Sequence, residues 1–360
     1  MKNWKRCLIV PAVWLALTAA MWFAPKQEMS ISERRKLQQM PALTAQTILD
    51  GRFMTQFETY SQDQFPLRDG FRRLKAGVSY GVVRRLDNNG IYLAQGSAAK
   101  LEYPLNEASV RKAVAKFQSI YDRYLKDSSG KIVFSVVPDK SFYLAAANGY
   151  PSMDYEAMFS AFREIPWADY VDLTPALSAD SYYRTDTHWR QEKILPVAQA
   201  ICKAMGAEVP GEFATNAVER PFTGVYYGQA ALPLAQETMY YLTSPLLQSA
   251  AVTHADGSVT KVYDEAKLGS RDLYDFFLSG SEPLLTIENP DADTEKELVL
   301  FRDSFGSSIA PFFTECYRKV TLVDTRYLPS ERVGKFVDFD RQDILFLYSV
   351  PVLNNSVMLK

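Results

Sequence analysis

Histidine and cysteine are scarce in this chain. Its 360 residues include two histidines, His188 and His254, and three cysteines, none of them in a C-x-x-C pair. Because a protein zinc site is usually built from clustered Cys and His ligands, this composition predicts no metal site. An excess of one charge is also missing, since 40 Lys and Arg stand against 42 Asp and Glu. Without a basic field, nucleic acid is not an expected partner.

The N-terminus carries a long apolar run. From Leu8 to Pro25 one residue, Thr18, is polar, and at about 1.5 Å per residue the run spans roughly 27 Å, close to the hydrocarbon thickness of a bilayer. A cleaved signal peptide and an uncleaved signal anchor are both consistent with residues 1–26. The bulky Met21-Trp22-Phe23 end is a poor cleavage site, which favours the anchor.

Basic residues precede this run and set its expected orientation: Lys2, Lys5 and Arg6. Positive charge before a span favours the cytoplasmic side, so the rest of the chain is expected outside the cytoplasm. The sequence therefore predicts a single-pass protein of the cell membrane with an extracytoplasmic catalytic domain, or a secreted protein if the segment is cleaved. Residues 27–95 are expected to form a juxtamembrane stalk and N-terminal segment.

Residues 96–360 alternate between helical and strand patterns, apart from a less regular, tyrosine-rich stretch at 207–290. This alternation predicts an α/β domain with a mostly parallel sheet flanked by helices, interrupted by an irregular insertion at 207–290. The predicted helices are 110–125 (with Asn106 as N-cap), 155–162, 194–205 and 308–317, and the predicted strands are 131–140, 170–173, 298–301, 320–323 and 344–348.

Two cysteines lie within the predicted domain. Cys202 and Cys316 both fall in apolar helical patterns, which favours buried free thiols. A disulfide between them is the alternative, and the sequence leaves both states open.

A serine follows one of the predicted strands directly. The strand 298–301 leads into Arg302-Asp303-Ser304-Phe305-Gly306, and a helix follows. This is where α/β enzymes place nucleophiles, because unpaired N–H groups at the helix start can stabilise an oxyanion. Gly306 would allow close approach of a substrate. The alternative is structural: Ser304 or Ser307 caps the helix and Asp303 stabilises its positive end.

The better placed histidine belongs to Asp186-Thr187-His188-Trp189. Here too a structural interpretation competes, with Asp186 as a helix cap, His188 on the surface and Trp189 in the core. His254 lies in a predicted hairpin turn with no acidic or serine motif framing it. A nucleophile, a base and an orienting carboxylate together make a hydrolase triad, and Ser304, His188 and Asp186 supply these three groups.

The two motifs together resemble the DHHW family, which is related to the alginate O-acetyltransferase (AlgJ and AlgX) group of SGNH-hydrolase-like proteins. Thr187 stands where that family has histidine, and Arg302 where a G-D-S motif has glycine. As in the alginate group, the Asp/His pair precedes the serine. Further matches are Glu33-Arg34-Arg35, Asp63 to Arg68, Val137 to Lys140, Asp272 to Gly280, Pro311-Phe312-Phe313 and Asp324 to Tyr327.

The resemblance implies an SGNH-hydrolase-like fold and a site without a cofactor. It implies backbone N–H groups around Ser304 and Phe305 as oxyanion donors, with Gly306 beside them. It also implies Arg326 facing the site or else a surface ion pair, and Trp189 beside the substrate. Asn354 or Asn355 would be the family's oxyanion asparagine.

The implied function is extracytoplasmic O-acetylation of an exopolysaccharide or cell-envelope glycan through an acyl-serine. The expected partners are the polysaccharide acceptor and a membrane-bound O-acyltransferase as acetyl donor. The alternatives are a carbohydrate acetylesterase of the same fold and a catalytically silent, polysaccharide-binding scaffold of an export complex.

Overall fold

A computed structural model describes residues 4–360, with side chains from Leu8 onward. The chain divides into two compact units. The N-terminal unit comprises the residues up to Asn89 together with Tyr227–Leu234, and the sheet unit comprises Gly90–Tyr226 and Ala235–Lys360. The sequence placed this boundary at residue 95.

The N-terminal unit is mostly helical. Its elements are α1 Trp4–Phe23, β1 Met29–Ser30, β2 Arg35–Lys36, α2 Ala45–Leu49, α3 Arg52–Asp63, α4 Arg68–Gly77 and a π-helical turn at Val78–Val82. Two segments that carry the family resemblance meet inside it: Arg35 Nη1 donates to Asp63 Oδ2 at 2.9 Å, and Arg68 pairs with Glu33 at 2.5 Å. The Arg35 hydrogen bond also lowers the pKa of the Asp63 carboxyl.

The predicted membrane anchor is wrong. Within residues 4–360 no helix is both long enough and apolar enough to cross a bilayer. Helix α1 begins at Trp4, so Lys5 and Arg6 lie inside it instead of before it. Its apolar part, Leu8–Phe23, spans about 24 Å at ~1.5 Å per residue, short of the roughly 30 Å of a hydrocarbon core. Lys2, part of the same prediction, lies outside the described residues.

The sheet unit is built on eight strands in the order β10-β9-β11-β13-β12-β14-β5-β6. The strands from β13 to β6 run parallel to their neighbours, whereas β10, β9 and β11 pair antiparallel. The mostly parallel sheet is therefore confirmed. The strands are β5 Ile132–Val137, β6 Asp169–Tyr170, β9 Ala251–His254, β10 Val259–Lys261, β11 Leu284–Glu288, β12 Glu297–Arg302, β13 Lys319–Val323 and β14 Asp343–Ser349.

The central strands are apolar on both faces because helices cover both. The runs IVFSVV of β5 and ILFLYS within β14 contain almost no polar residue, the pattern of a parallel strand that is buried on both sides. Leu298 and Leu300 of β12 enter a core with the helices α8 Leu195–Ala204 and α11 Gly306–Phe313. Phe301 points the other way, toward α5 Glu107–Ile120 and α7 Tyr155–Arg163.

Local signals place these helices well. Asn106 caps α5 by accepting a hydrogen bond from Ser109 N, as predicted. Pro196 lies in the first turn of α8, where its missing N–H has no cost. Helix α11 covers 306–313 instead of 308–317, and β6 covers two residues instead of 170–173.

The tyrosine-rich stretch 207–290 is more regular than predicted. It supplies β9, β10 and β11, which extend the central sheet antiparallel. A separate two-stranded sheet is formed by β7 Ala214–Phe222 and β8 Glu237–Thr243. The remaining elements are the hairpin β3 Ile91–Ala94 and β4 Ser97–Lys100, and the short helices α6 Lys140–Leu144, α9 Val225–Ala230, α10 Pro245–Ser249 and α12 Val350–Leu353.

Candidate active site

Polar side chains collect at the C-terminal edge of the parallel sheet. Ser304 comes two residues after β12, Asp324 directly follows β13, Ser349 ends β14 and Asp139 follows β5. Because parallel strands end at the same edge, this is the place where open α/β sheets bind their ligands. Ser304 is half-buried there.

The structure brings Asp186, His188 and Ser304 into one hydrogen-bonded chain. His188 Nδ1 lies 2.7 Å from Asp186 Oδ1, and His188 Nε2 lies 2.8 Å from Ser304 Oγ. Since a carboxylate only accepts, Nδ1 carries the proton in this arrangement and Nε2 accepts from the serine hydroxyl. The order of groups is that of a nucleophile, a base and an orienting acid. Asp186 is 1 % exposed and His188 is 9 % exposed.

A tight loop presents Asp186 and His188. Tyr182 and Trp189 pair as an isolated antiparallel bridge that closes the loop, and Tyr183 N donates to His188 O at 3.1 Å. At the tip, Asp186 Oδ1 also accepts from the amide of His188 at 3.0 Å. Asp186 therefore does not cap a helix, and its short-range bonds fix the imidazole beside it.

A neighbouring backbone segment holds the other side of the aspartate. Val225 N donates to Asp186 Oδ2 at 2.7 Å. Gly224 N donates to Thr185 Oγ1 at 2.9 Å, and a Cβ at Gly224 would lie 2.2 Å from Asp186 Cβ. Only glycine allows so close an approach at this position. Both carboxylate oxygens of Asp186 are thus bonded, which fixes its orientation.

Two charged groups brace the same loop, the half-buried Glu237 and the buried Lys140. Glu237 accepts from the amides of Arg184 and Thr185 at 2.7 and 2.8 Å. Lys140 Nζ donates to Ala98 O at 2.6 Å and to Tyr183 O at 2.5 Å. Burial lowers the pKa of Lys140 to about 7, against the opposing charges of Asp186, Glu237 and Asp139.

An aromatic shell surrounds His188. The Tyr274 ring is stacked on the imidazole with centroids 3.9 Å apart and planes 8° apart, and Phe305 lies 5.1 Å away on a tilted plane. Ser308 Oγ accepts from Tyr274 Oη at 2.7 Å and from Trp189 Nε1 at 2.8 Å. Ser308 therefore joins the stacked tyrosine to the loop that carries His188.

The Ser304 turn is locked by the residue before it. Asp303 Oδ1 accepts from Phe305 N at 3.0 Å, and Asp303 Oδ2 accepts from Ser349 N and Ser349 Oγ at 2.7 and 2.6 Å. The N-cap of α11 is Phe305, with no side-chain cap bond. Neither Ser304 nor Ser307 therefore caps the helix. The Asp303 carboxylate holds the turn through its hydrogen bonds to Phe305 and Ser349.

The backbone amides of Ser304, Phe305 and Gly306 differ in their hydrogen-bond partners. Phe305 N is bound to Asp303 Oδ1, and Gly306 N donates to Asp303 O at 3.0 Å. Within residues 4–360, the amide of Ser304 itself donates to no protein acceptor. Of the predicted donors at Ser304 and Phe305, the geometry therefore favours Ser304 N.

Gly306 is required by a neighbouring side chain. A Cβ at Gly306 would lie 2.7 Å from Arg302 Cβ and 2.9 Å from Arg302 Cγ. The sequence assigned this glycine to close approach of a substrate, whereas the structure shows the stem of Arg302 packed against it. Arg302 thus requires a glycine at position 306, since any larger residue there would clash with its stem.

Two arginines flank Asp324 at this edge. Arg326 binds Asp324 through Nε at 2.9 Å and Nη2 at 2.6 Å, and its side chain is 11 % exposed. Arg302 is fully buried, with Nη1 3.7 Å from Asp324 Oδ2 and 3.3 Å from Ser307 Oγ. Desolvation lowers the pKa of Arg302. The ion pair of Arg326 is thus not on the surface, because the carboxylate that holds its guanidinium is buried.

Three other predicted residues lie away from a substrate position. Trp189 is fully buried, and its indole N–H donates to Ser308 and to Phe305 O, so it supports the site from within the core. Asn354 Oδ1 accepts from Asn106 N at 2.7 Å and belongs to the cap of α5, not to an oxyanion hole. Asn355 precedes a 3₁₀ turn at the C-terminus.

His254 has a carboxylate partner that the sequence did not indicate. Its Nδ1 lies 2.8 Å from Glu282 Oε1, and its Nε2 lies 2.8 Å from Thr260 Oγ1. It ends β9, next to the hairpin turn. Both ring nitrogens of His254 are thus engaged, one by the Glu282 carboxylate and the other by the Thr260 hydroxyl.

Known proteins were compared with this chain by sequence and by structure. No family model matches it, and no curated protein is significantly similar in sequence. The fold is shared with solved structures. A DHHW family protein from Eubacterium siraeum DSM 15702 aligns with a TM-score of 0.59 and 20 % identity, over 74 % of this chain and 93 % of that one.

Bacillus cereus PatB1 aligns with a TM-score of 0.57 and 18 % identity, over 73 % of this chain and 96 % of that one. A second PatB1 structure, with a sulfonyl adduct, gives 0.56 and 15 %. Pseudomonas aeruginosa AlgX reaches only 0.42 and 13 %, over 76 % of this chain and 66 % of that one. The predicted resemblance to DHHW proteins is confirmed at the level of the fold, which this chain shares with the DHHW family protein and with PatB1.

Proposed function

We propose that this protein is a serine acyltransferase that O-acetylates a glycan. The observation that carries the proposal is the continuous chain Asp186–His188–Ser304, with contacts of 2.7 and 2.8 Å at the C-terminal edge of the parallel sheet. PatB1 shares the fold, and the sulfonyl adduct on one of its structures supports the presence of a reactive nucleophile in such a fold.

Each group has a defined task in this proposal. His188 Nε2 takes the hydroxyl proton of Ser304 as Oγ attacks the acetyl carbonyl, and Asp186 stabilises the imidazolium. The amide of Ser304 donates to the oxyanion, and a donor of this kind typically contributes ~3–4 kcal/mol. Collapse expels the donor's leaving group, which takes the proton from His188, and leaves an acetyl-serine.

In the second half of the reaction the acetyl group passes from Ser304 to the acceptor. His188 takes a proton from a sugar hydroxyl, that oxygen attacks the acetyl-serine, and Ser304 recovers its proton from His188 as the ester forms. In this proposal a polysaccharide is the acceptor and a membrane-bound O-acyltransferase supplies the acetyl group. If water replaces the sugar hydroxyl, the same residues make an acetylesterase.

A silent polysaccharide-binding scaffold is the alternative from another class. A scaffold needs no contact between a serine and a histidine, and a separation above about 5 Å would have favoured it. The observed 2.8 Å between Ser304 Oγ and His188 Nε2 favours the enzyme.

The test uses p-nitrophenyl acetate as donor, with and without a sugar oligomer. We expect an adduct of one acetyl group on the tryptic peptide that contains Ser304, and acetylated oligomer when the acceptor is present. Ser304→Ala and His188→Ala should lower the rate by at least about 10³-fold. Ser119→Ala, at an exposed position of α5, is the matched control and should leave the rate unchanged. Undiminished activity in the two site variants would refute the proposal. Release of free acetate alone would make the protein an esterase.

A further inference from the structure

We propose that Cys202 and Cys316 close to a disulfide when the protein folds under oxidising conditions. Cys202 lies near the end of α8 and Cys316 lies three residues after α11. Their Sγ atoms are 3.2 Å apart, and the residues are 0 % and 8 % exposed. A disulfide requires an S–S separation of about 2.05 Å, so the sulfurs have to move about 1 Å closer.

The position of the pair gives the bridge its structural meaning. The chain runs from His188 into α8 and reaches Cys202, and it runs from Ser304 into α11 and reaches Cys316. These two helices pack against each other in one core. At one end of these two segments, His188 and Ser304 lie 2.8 Å apart. A disulfide would join their other ends, at Cys202 and Cys316.

The thiol chemistry places the reaction during folding. The hydrogen bond to Cys316 and burial raise the pKa of the Cys202 thiol, so the folded protein holds little thiolate there. Thiolate is the species that attacks a disulfide. In the unfolded or partly folded chain both thiols are exposed to solvent, and the native approach of α8 to α11 then brings them together.

The reaction needs an oxidant of the disulfide class, and glutathione disulfide serves. One cysteine thiolate attacks a glutathione sulfur and releases one glutathione, which leaves a mixed disulfide. The second cysteine thiolate then attacks the cysteine sulfur of that mixed disulfide and releases the second glutathione. Cys202 and Cys316 lose two protons and two electrons in total, and the glutathione disulfide is reduced to two thiols.

The bridge would close a long loop. The segment between the two cysteines contains the whole stretch 207–290 with its antiparallel strands. Restricting so long a loop in the unfolded chain favours the folded state. We expect the oxidised protein to melt on the order of 5–10 °C above the reduced protein.

Peptide mass analysis tests the linkage directly. The full chain is unfolded with reductant, refolded in mixed reduced and oxidised glutathione, alkylated and cut with trypsin. Cleavage after Lys193, Lys203, Arg302 and Arg318 gives the peptides Ile194–Lys203 and Asp303–Arg318, one cysteine in each. We expect the two peptides joined, two hydrogens lighter than their sum. Recovery of both as separate alkylated or glutathionylated peptides would overturn the proposal.

Thermal unfolding provides an independent measurement. Reductant should lower the melting temperature of the refolded wild type and of Cys7→Ala, which retains the pair. It should leave the double variant Cys202→Ala/Cys316→Ala unchanged. A reductant effect that persists in the double variant, or that is missing from the wild type, would contradict the proposal. Neither readout uses activity, so the result is independent of whether Ser304 is a nucleophile.

Discussion

The ring of Tyr274 lies flat on the imidazole of His188, 3.9 Å away and within 8° of parallel. The hydroxyl of this buried tyrosine donates to Ser308 Oγ, which also accepts from Trp189 Nε1. The stack limits rotation of the imidazole about its own axis, while Asp186 and Ser304 fix its two nitrogens in the ring plane. Tyr274 is thus a positioning residue for the proposed base.

Tyr274→Leu and Tyr274→Phe separate stacking from hydrogen bonding. We expect kcat of the leucine variant to fall at least about tenfold, because a misplacement of reacting groups on the order of 1 Å can cost up to ~100-fold. The phenylalanine variant keeps the stacked ring and should stay within about threefold, although it loses the bond to Ser308. Both variants should show similar KM and a lowered melting temperature. Equal losses of kcat in the two variants would contradict a role for stacking.

Asp186→Asn tests the orientation of the imidazole. Asp186 accepts from Val225 N on one oxygen and from His188 on the other, and an amide offers an acceptor to one side only. If the amide oxygen faces Val225, its NH₂ group faces Nδ1, and His188 must carry its proton on Nε2. We expect kcat to fall about 10³–10⁴-fold with little change in KM. Asp180→Asn, at a mostly exposed side chain, is the control, and a loss below tenfold at Asp186 would argue against the triad.

The parallel strands could be predicted from the sequence because their signals are local. The same is true of Asp186, His188 and Ser304, the three residues of the hydrogen-bonded chain. The four inner parallel strands β5, β12, β13 and β14 are short, mostly apolar runs, and Ser304 comes two residues after β12. His188 and Asp186 lie two residues apart and were found by the scarcity of histidine. Within 207–290 the hairpin of β9 and β10 was expected around His254, whereas β11 was missed, since it pairs with β9 and β13 instead of with the strands next to it in sequence.

Long-range contacts account for the rest of the site. Tyr274 and Val225 contact the Asp186 loop, but no sequence motif links either residue to it. Tyr274 does lie in a segment that carries the family resemblance. At Phe305 the sequence predicted a free amide from the helix start, but the Asp303 side chain binds it first. The membrane anchor was inferred from hydropathy alone, and within residues 4–360 no helix is long and apolar enough to cross a bilayer.

Gly224→Ala probes the close packing behind Asp186. The added Cβ would lie 2.2 Å from Asp186 Cβ and 2.4 Å from Thr185 O, so backbone has to move. We expect a loss of about 1–3 kcal/mol in the free energy of unfolding and at least tenfold in kcat, measured by denaturant titration and by ester turnover. Gly211→Ala is the matched control, because nothing lies within 4 Å of its added Cβ. Wild-type turnover in Gly224→Ala would show that this contact does not position Asp186.

Lys140 predicts how stability depends on pH. Its ammonium is fully buried and donates to Ala98 O and Tyr183 O, and burial lowers its pKa from 10.5 to about 7. Asp186, Glu237 and Asp139 are the charged groups that oppose this shift. Between pH 7 and 10.5 the unfolded chain therefore binds more protons at this position than the folded one. Stability from this group rises with pH across that window and is lowest below pH 7.

Lys140→Met removes this titration. Between pH 7 and pH 9 the free energy of unfolding of the wild type should rise by about 2 kcal/mol relative to that of the variant, at ~1.4 kcal/mol per pH unit for one proton. Denaturant titrations at pH 7, 8 and 9 measure the difference, and the other titrating groups cancel because both proteins contain them. Lys112→Met, at an exposed position of α5, should follow the wild type. If the free energies of unfolding of the wild type and Lys140→Met change in parallel with pH, the ammonium keeps an ordinary pKa despite its burial. Its hydrogen bonds to the loop would then offset the cost of desolvation.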